Sequence, residues 1–123
     1  MTAPNTVFAR ASGMRLHAID AWLRDPSILV DAERLRSLLY NAADAGGAKV
    51  LADEFHVFPN GAVTGVLLLA QSHLSIHTWP ELLLANIDLL TYGEVDAEAV
   101  LDVLRTGLET ERLQVVAVTR GAG

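Results

Sequence analysis

The sequence contains no cysteine among its 123 residues. Disulfides, cysteine-ligated zinc and thiol nucleophiles are therefore excluded. It also lacks any block of positive charge. It has 9 basic and 15 acidic residues, and its formal net charge is −6. A protein that binds nucleic acid needs clustered Lys and Arg to neutralise phosphates. We therefore expect no nucleic-acid partner.

Long apolar runs are missing as well. No segment reaches the roughly 18–20 apolar residues of a membrane-spanning helix, and residues 1–13 lack the apolar core of a signal peptide. We expect a cytoplasmic protein with no membrane association, with a flexible tail over residues 1–13 and a single domain over residues 14–123. Because 51% of the residues are hydrophobic and only 20% are charged, the chain is apolar for its size. This composition indicates a buried interface with a second copy.

Hydrophobic periodicity predicts six strands and two helices in the order β-α-β-β-β-β-α-β. We expect strands at about 14–23, 48–58, 62–70, 72–78, 83–91 and 113–118. Asp31 and Asp96 are the predicted N-caps of the two helices. Gly46-Gly47 is the predicted end of the first helix, since glycine accepts a left-handed conformation. Asn60-Gly61 predicts a hairpin between the second and third strands.

The predicted fold class is α+β, a two-layer sandwich. Central strands joined by hairpins require an antiparallel sheet, and two amphipathic helices can cover only one of its faces. The other face is rich in apolar residues and needs a cover of its own. We therefore expect a homodimer in which a second chain covers that face.

One segment has a composition that plain core does not explain. Residues 71–81 read Gln-Ser-His-Leu-Ser-Ile-His-Thr-Trp-Pro-Glu, with two histidines, three hydroxyl residues, a tryptophan and a carboxylate. Polar groups are costly to bury without partners, so such a cluster indicates a site. The two histidines do not predict a metal site, because His73 and His77 would lie ~13 Å apart in a strand.

This segment resembles the self-processing segment of the prokaryotic S-adenosylmethionine decarboxylase family, Glu-Ser-His-(Ile/Leu)-Ser-Ile-His-Thr-Trp-Pro-Glu. Ten of its eleven positions fit that pattern, and the likeness extends over roughly Met14 to Arg120. The resemblance implies a pyruvoyl-dependent carboxy-lyase of polyamine and spermidine biosynthesis. It also implies a zymogen that cuts itself between Gln71 and Ser72 and holds its substrate, an amino-acid-type small molecule, as a Schiff base.

The resemblance further implies the route of cleavage. The Ser72 hydroxyl attacks the Gln71 carbonyl in an N-to-O acyl shift, and β-elimination of the resulting ester cuts the chain. Ser72 becomes dehydroalanine, which hydrolyses to a covalent pyruvoyl group. That ketone is the expected cofactor, and it does the work that pyridoxal phosphate does elsewhere.

Other positions match functional residues of the family. His77 matches the histidine that assists elimination, and Thr64 stands where a serine orients the ester. Phe58 matches an aromatic residue that stacks on adenine. Trp79 and Glu81 match residues that flank the substrate, with the Glu81 carboxylate suited to accept hydrogen bonds from ribose hydroxyls.

Tyr92 marks the main departure from the family. The family has Thr-Cys-Gly after the fifth strand, where the cysteine reprotonates the substrate carbon, whereas this chain has Thr91-Tyr92-Gly93. Tyr92 either donates that proton or shapes the pocket. A smaller pocket would favour ornithine or arginine over a nucleoside, as in known paralogues. A further alternative is an uncleaved pseudoenzyme that acts through dimerisation or ligand binding.

Overall fold

A computed structural model of the chain describes residues 13–121. The predicted tail, apart from its last residue, lies outside this range. The strands and helices are β1 Met14–Trp22, α1 Ala32–Ala45, β2 Val50–Val57, β3 Val63–Leu69, β4 Ser72–Trp79, β5 Leu84–Thr91, α2 Ala97–Gly107 and β6 Arg112–Arg120. Two 3-10 turns accompany them, Ile28–Val30 before α1 and Pro80–Leu82 after β4.

The six strands form one sheet in the order β2-β3-β4-β5-β1-β6, and every neighbouring pair is antiparallel. Helices α1 and α2 pack against each other and against one face of this sheet, where their buried leucines meet those of the strands. The predicted two-layer α+β sandwich is confirmed. No helix within residues 13–121 is long and apolar enough to cross a membrane.

The predicted helix boundaries are confirmed by their capping contacts. The Asp31 side chain accepts a hydrogen bond from the backbone N–H of Arg34 at 3.1 Å, and Asp96 accepts one from Ala99 at 3.1 Å. Gly47, just past the end of α1, has a φ of 77°, a left-handed conformation that side chains disfavour. These local interactions set where each helix begins and where α1 ends.

Strand bounds differ from the predicted ones by one or two residues at most ends, and the largest extension is in β6. Strand β6 covers 112–120 rather than 113–118, because it pairs with β1 along its whole length, from Met14 opposite Arg120 to Trp22 opposite Arg112. The two 3-10 turns were not predicted. A turn of three residues leaves too short a hydrophobic pattern to be recognised in the sequence.

The face of the sheet away from the helices, which we call the open face, carries apolar residues without a cover among residues 13–121. Val66 and Leu68 of β3 are 38% and 53% exposed there, and Val116 and Val118 of β6 are 54% and 45% exposed. The third strand is nearly all apolar, from Ala62 to Ala70, a composition that predicts cover on both of its faces. Within one chain only its helix-side face is covered.

Candidate active site

The predicted cleavage point lies in the tight turn between β3 and β4. Gln71 has a φ of 66°, a left-handed conformation that is uncommon for any residue with a Cβ. Gln71 is exposed, and Ser72 is half-buried as the first residue of β4. The peptide bond that the resemblance marks for cleavage therefore follows a strained residue and lies in an accessible turn.

Contacts to β5 hold Ser72 in place. Its hydroxyl donates a hydrogen bond to the Leu90 carbonyl oxygen, close to the end of that strand. Tyr92 follows β5 directly and is half-buried. Strands β4 and β5 are antiparallel and His73 lies opposite Leu90. The residue that follows β5, Tyr92, therefore lies at the same end of these two strands as Gln71. These three residues, Gln71, Ser72 and Tyr92, form what we call the cleavage end.

His77 lies at the other end of β4, opposite Thr64 of β3. Thr64 Oγ1 is 2.5 Å from His77 Nδ1, a hydrogen bond that fixes the orientation of the imidazole ring. Thr64 is exposed and His77 is half-buried, and both belong to the sets of alternate strand residues that lie on the open face. The pair can move a proton to or from a group placed against that face.

Aromatic rings surround His77. The ring of Trp79 lies 4.3 Å from the His77 ring and the ring of Phe58 lies 6.0 Å from it, both edge-on. Phe58 also meets the ring of His56 at 4.7 Å. Phe58 and Trp79 are each 38% exposed, so both offer ring surface to a partner molecule. Such surface suits stacking against a flat heteroaromatic group.

Glu81 lies in the 3-10 turn that follows β4 and is exposed. It shares this part of the sheet with Trp79, which precedes the turn. We call Phe58, Thr64, His77, Trp79 and Glu81 the histidine end. All five residues that the sequence assigned to proton transfer and substrate contact, other than Tyr92, therefore lie near one another.

Two residues that sequence reasoning did not assign lie beside the histidine end. The Asn86 side chain accepts a hydrogen bond from Trp79 Nε1 at 2.6 Å and donates one to Asp20 Oδ1 at 2.7 Å. Asp20 and Asn86 are half-buried neighbours across β1 and β5. In the sequence, Asp20 and Asn86 stand out only as polar residues within apolar strands. That they contact each other follows from the pairing of β1 with β5.

The cleavage end and the histidine end are separated within one chain. Ser72 and His77 are five residues apart in a regular strand, which corresponds to ~16 Å along β4. Ser72 also belongs to the set of alternate residues that includes the buried Leu74 and Ile76, whereas His77 belongs to the other set. A single chain therefore does not bring the two side chains into contact.

Comparison with known proteins identifies relatives along most of the chain. A family model described as S-adenosylmethionine decarboxylase matches residues 15–121. The S-adenosylmethionine decarboxylase proenzyme of Methanococcus vannielii is 38% identical over 84% of this chain and 85% of its own length. That of Brevibacillus brevis is 39% identical over 86% and 80%. The crystal structure of the adenosylmethionine decarboxylase from Aquifex aeolicus superposes with a TM-score of 0.80 at 31% identity, over 89% of this chain and 92% of that one.

Proposed function

The chain belongs to the S-adenosylmethionine decarboxylase family, and from that premise we propose that it is a self-cleaving proenzyme whose processed form decarboxylates S-adenosylmethionine. The observation that carries the proposal is the turn at Gln71-Ser72. A left-handed residue, with a φ of 66°, is followed at once by a serine in the segment that matches the family's processing site. Leu83 and Glu109 also have a positive φ, 53° in each case, so the proposal rests on the position of the strained residue directly before the matching serine and not on the strain alone.

Cleavage begins with the Ser72 oxygen. It attacks the Gln71 carbonyl carbon, the C–N bond breaks, and residue 72 gains a free amine while its oxygen carries the ester. The peptide bond that breaks directly follows Gln71, whose backbone has a disfavoured φ. Opening the turn therefore releases strain of about 1 kcal/mol, which favours the ester side of an exchange that otherwise favours the amide.

Elimination then cuts the chain. A base removes the Cα proton of residue 72, the Cβ–O bond breaks, and the carboxylate of Gln71 leaves as the new end of residues 1–71. Dehydroalanine remains at position 72, and water converts it to the pyruvoyl group with release of ammonia. His77, oriented by Thr64, is the residue suited to take the proton, because a neutral imidazole nitrogen can act as a general base.

His77 can act on Ser72 only if it comes from another chain. Within one chain the two lie ~16 Å apart along β4, so we propose a homodimer whose open faces meet. Antiparallel packing of two identical sheets places the histidine end of one chain over the Gln71-Ser72 turn of its partner. Opening of that turn then brings the Ser72 side chain, which belongs to the helix-side set of β4, to the open face. It also covers the apolar residues of the open face, including Leu68 and Val116, which are 53% and 54% exposed.

The residues present fit the pyruvoyl group and its substrate. The group is generated from Ser72, and it supplies an electron sink that accepts the electron pair left by loss of carbon dioxide. Phe58 and Trp79 offer ring surface for adenine, and Trp79 is held by Asn86. Glu81 accepts hydrogen bonds from ribose hydroxyls. Tyr92, in the place of the family cysteine, donates the proton that replaces the carboxylate.

Release of labelled carbon dioxide from carboxyl-labelled substrates tests the proposed activity. Processed protein is expected to release it from S-adenosylmethionine and not from ornithine or arginine. Release from either amino acid alone would assign the chain to the paralogue activity, and no release from any substrate would contradict the enzymatic proposal. A role in spermidine biosynthesis and a cytoplasmic location stay predictions.

A further inference from the structure

Three hydrogen-bonded side chains cross the open face beside His77. Asn86 of β5 lies opposite His77 of β4, and Asp20 of β1 lies opposite Asn86. Trp79 Nε1 donates a hydrogen bond to Asn86 Oδ1 at 2.6 Å, and Asn86 Nδ2 donates one to Asp20 Oδ1 at 2.7 Å. We call Trp79, Asn86 and Asp20 the indole network. The proposed decarboxylase chemistry uses the ring of Trp79 and leaves Asp20 without a role.

The hydrogen bonds of the indole network have a fixed direction. An indole N–H only donates, and a carboxylate only accepts. The Asn86 amide lies between the two, so its oxygen must face Trp79 and its NH2 group must face Asp20. The flipped amide would place an NH2 group against the indole N–H and an oxygen against the carboxylate, and both contacts are repulsive. Asp20 therefore determines which way the Asn86 amide points.

The network selects one orientation of the Trp79 ring. Trp79 is 38% exposed, so water offers its N–H a partner in other rotamers as well. The bond to Asn86 favours the rotamer in which the indole lies edge-on to His77, with the ring centroids 4.3 Å apart. Asp20 makes no ion pair with another residue of the described range. Its bond from Asn86 is charge-assisted, and such bonds are about twice as strong as neutral ones.

We propose that Asp20 and Asn86 are positioning residues that fix the Trp79 ring before the substrate binds. The inference rests on the proposed function, in which Trp79 offers ring surface to the adenine of S-adenosylmethionine. Ordering a mobile side chain during binding weakens affinity by roughly 2- to 12-fold, and a ring that is already fixed avoids this loss. Because both residues act through Trp79, they should affect KM and not kcat.

Steady-state release of carbon dioxide from S-adenosylmethionine measures the effect. Asn86→Ala removes both hydrogen bonds and should raise KM about fivefold, with kcat within about twofold of its original value. Asn41→Ala makes the same chemical change at an exposed position of α1, in the helix layer. This matched control should change neither constant. A KM in Asn86→Ala no higher than in Asn41→Ala would overturn the proposal.

A double-mutant cycle shows whether the effect passes through the indole. Trp79→Phe keeps an aromatic ring and removes the N–H donor. If Asn86 acts by holding that donor, Asn86→Ala should raise KM little further in the Trp79→Phe chain. Increases in KM that multiply in the double variant would show that Asn86 acts independently of Trp79, and this result would also overturn the proposal.

Exchange of the two polar side chains tests the direction of the bonds. Asn86→Asp alone places two carboxylates in contact and should raise KM, because like charges repel. Asn86→Asp combined with Asp20→Asn again pairs one NH2 group with one carboxylate, and that carboxylate still accepts from Trp79. The combined variant should return KM to within about twofold of its original value. A folded combined variant without this recovery would contradict the assigned direction.

The indole N–H signal of Trp79 separates this proposal from the proposed function. Heteronuclear NMR of the uncleaved Ser72→Ala chain should resolve the indole signals of the two tryptophans, and Trp22→Phe assigns them. Asn86→Ala should move the Trp79 signal upfield because its hydrogen bond is lost, whereas Asn41→Ala should not. A shifted signal in a protein whose processed form decarboxylates nothing contradicts the proposed function. An unchanged signal contradicts the positioning role, whatever the activity.

Discussion

The left-handed turn at Gln71 makes a prediction about stability at the scale of one residue. In the uncleavable Ser72→Ala background, Gln71→Gly should raise the free energy of unfolding by about 0.5–1 kcal/mol, because glycine adopts a positive φ without steric cost. Urea denaturation measures the change. The matched control is Gln114→Gly, an exposed glutamine in the extended strand β6, where glycine should instead destabilise by about 0.5–1 kcal/mol. Equal effects at both positions would contradict the strain assigned to Gln71.

Tyr92 allows a second prediction at the residue scale. If its hydroxyl donates the proton to the substrate carbon, Tyr92→Phe should leave chain cleavage intact and lower kcat by about 100-fold or more. Tyr92→Cys, which restores the acid found in the family, should retain activity. The measurement is steady-state carbon dioxide release. An unchanged kcat with an altered KM in Tyr92→Phe would show that Tyr92 shapes the pocket instead.

Individual residues were predicted from the sequence where a local motif identifies them. Ser72, His77, Thr64, Phe58, Trp79 and Glu81 were assigned because they occupy fixed positions in a recognisable segment, and their roles stay predictions until tested. Asp20 and Asn86 were not assigned. Their contact with Trp79 depends on the register of β1 against β5, and a single sequence does not specify register between strands so far apart along the chain.

The pairing of β3 with β4 makes a prediction at the scale of the element. Thr64→Val removes the hydroxyl that orients His77 across this pair and should slow chain cleavage by about 10-fold or more. Thr64→Ser keeps the hydroxyl and should cleave at close to the normal rate. The time course of the two products on denaturing gels measures the rates.

Thr119→Val is the matched control for the Thr64 series. It makes the same chemical change at an exposed position of β6, which is three strands away from β4 in the sheet. Cleavage by Thr119→Val should proceed at the normal rate. Normal cleavage by Thr64→Val would show that the hydrogen bond to His77 is not needed for elimination.

Strand β1 shows why the helices and hairpins were easier to predict than the faces of the sheet. In the sequence, the apolar residues that alternate with polar ones along β1 are Leu16, Ala18 and Trp22, and His17 lies in the other set of alternate positions. The structure buries that other set, with His17, Ile19 and Ala21 under the helices, and leaves Leu16 and Ala18 on the open face. Alternation identifies a strand, but both sets of β1 contain apolar residues, so the buried face follows only from packing.

Mixed dimers test the arrangement of the whole molecule. Chains with Ser72→Ala keep His77, and chains with His77→Ala keep Ser72, so neither homodimer should cleave at an appreciable rate. Co-expression of the two, with distinguishable tags, should cleave the His77→Ala chain alone, because its serine meets the histidine of the partner. Mass spectrometry of the tagged chains measures the products.

The control for this experiment replaces the first chain with one that carries both substitutions. It supplies neither group, and no cleavage is expected. Cleavage of the His77→Ala chain without an intact partner, or no cleavage in the mixture of single variants although dimers form, would contradict a site shared between two chains.

The most direct test of the account is the intact mass of the purified chain. The account predicts two polypeptides, residues 1–71 and residues 72–123, the second lighter than its unmodified sequence by the mass of ammonia and blocked at its N-terminus. The Ser72→Ala chain should remain one polypeptide. A single 13.2 kDa species that stays whole on prolonged incubation would contradict self-cleavage and identify the chain as an unprocessed member of its family.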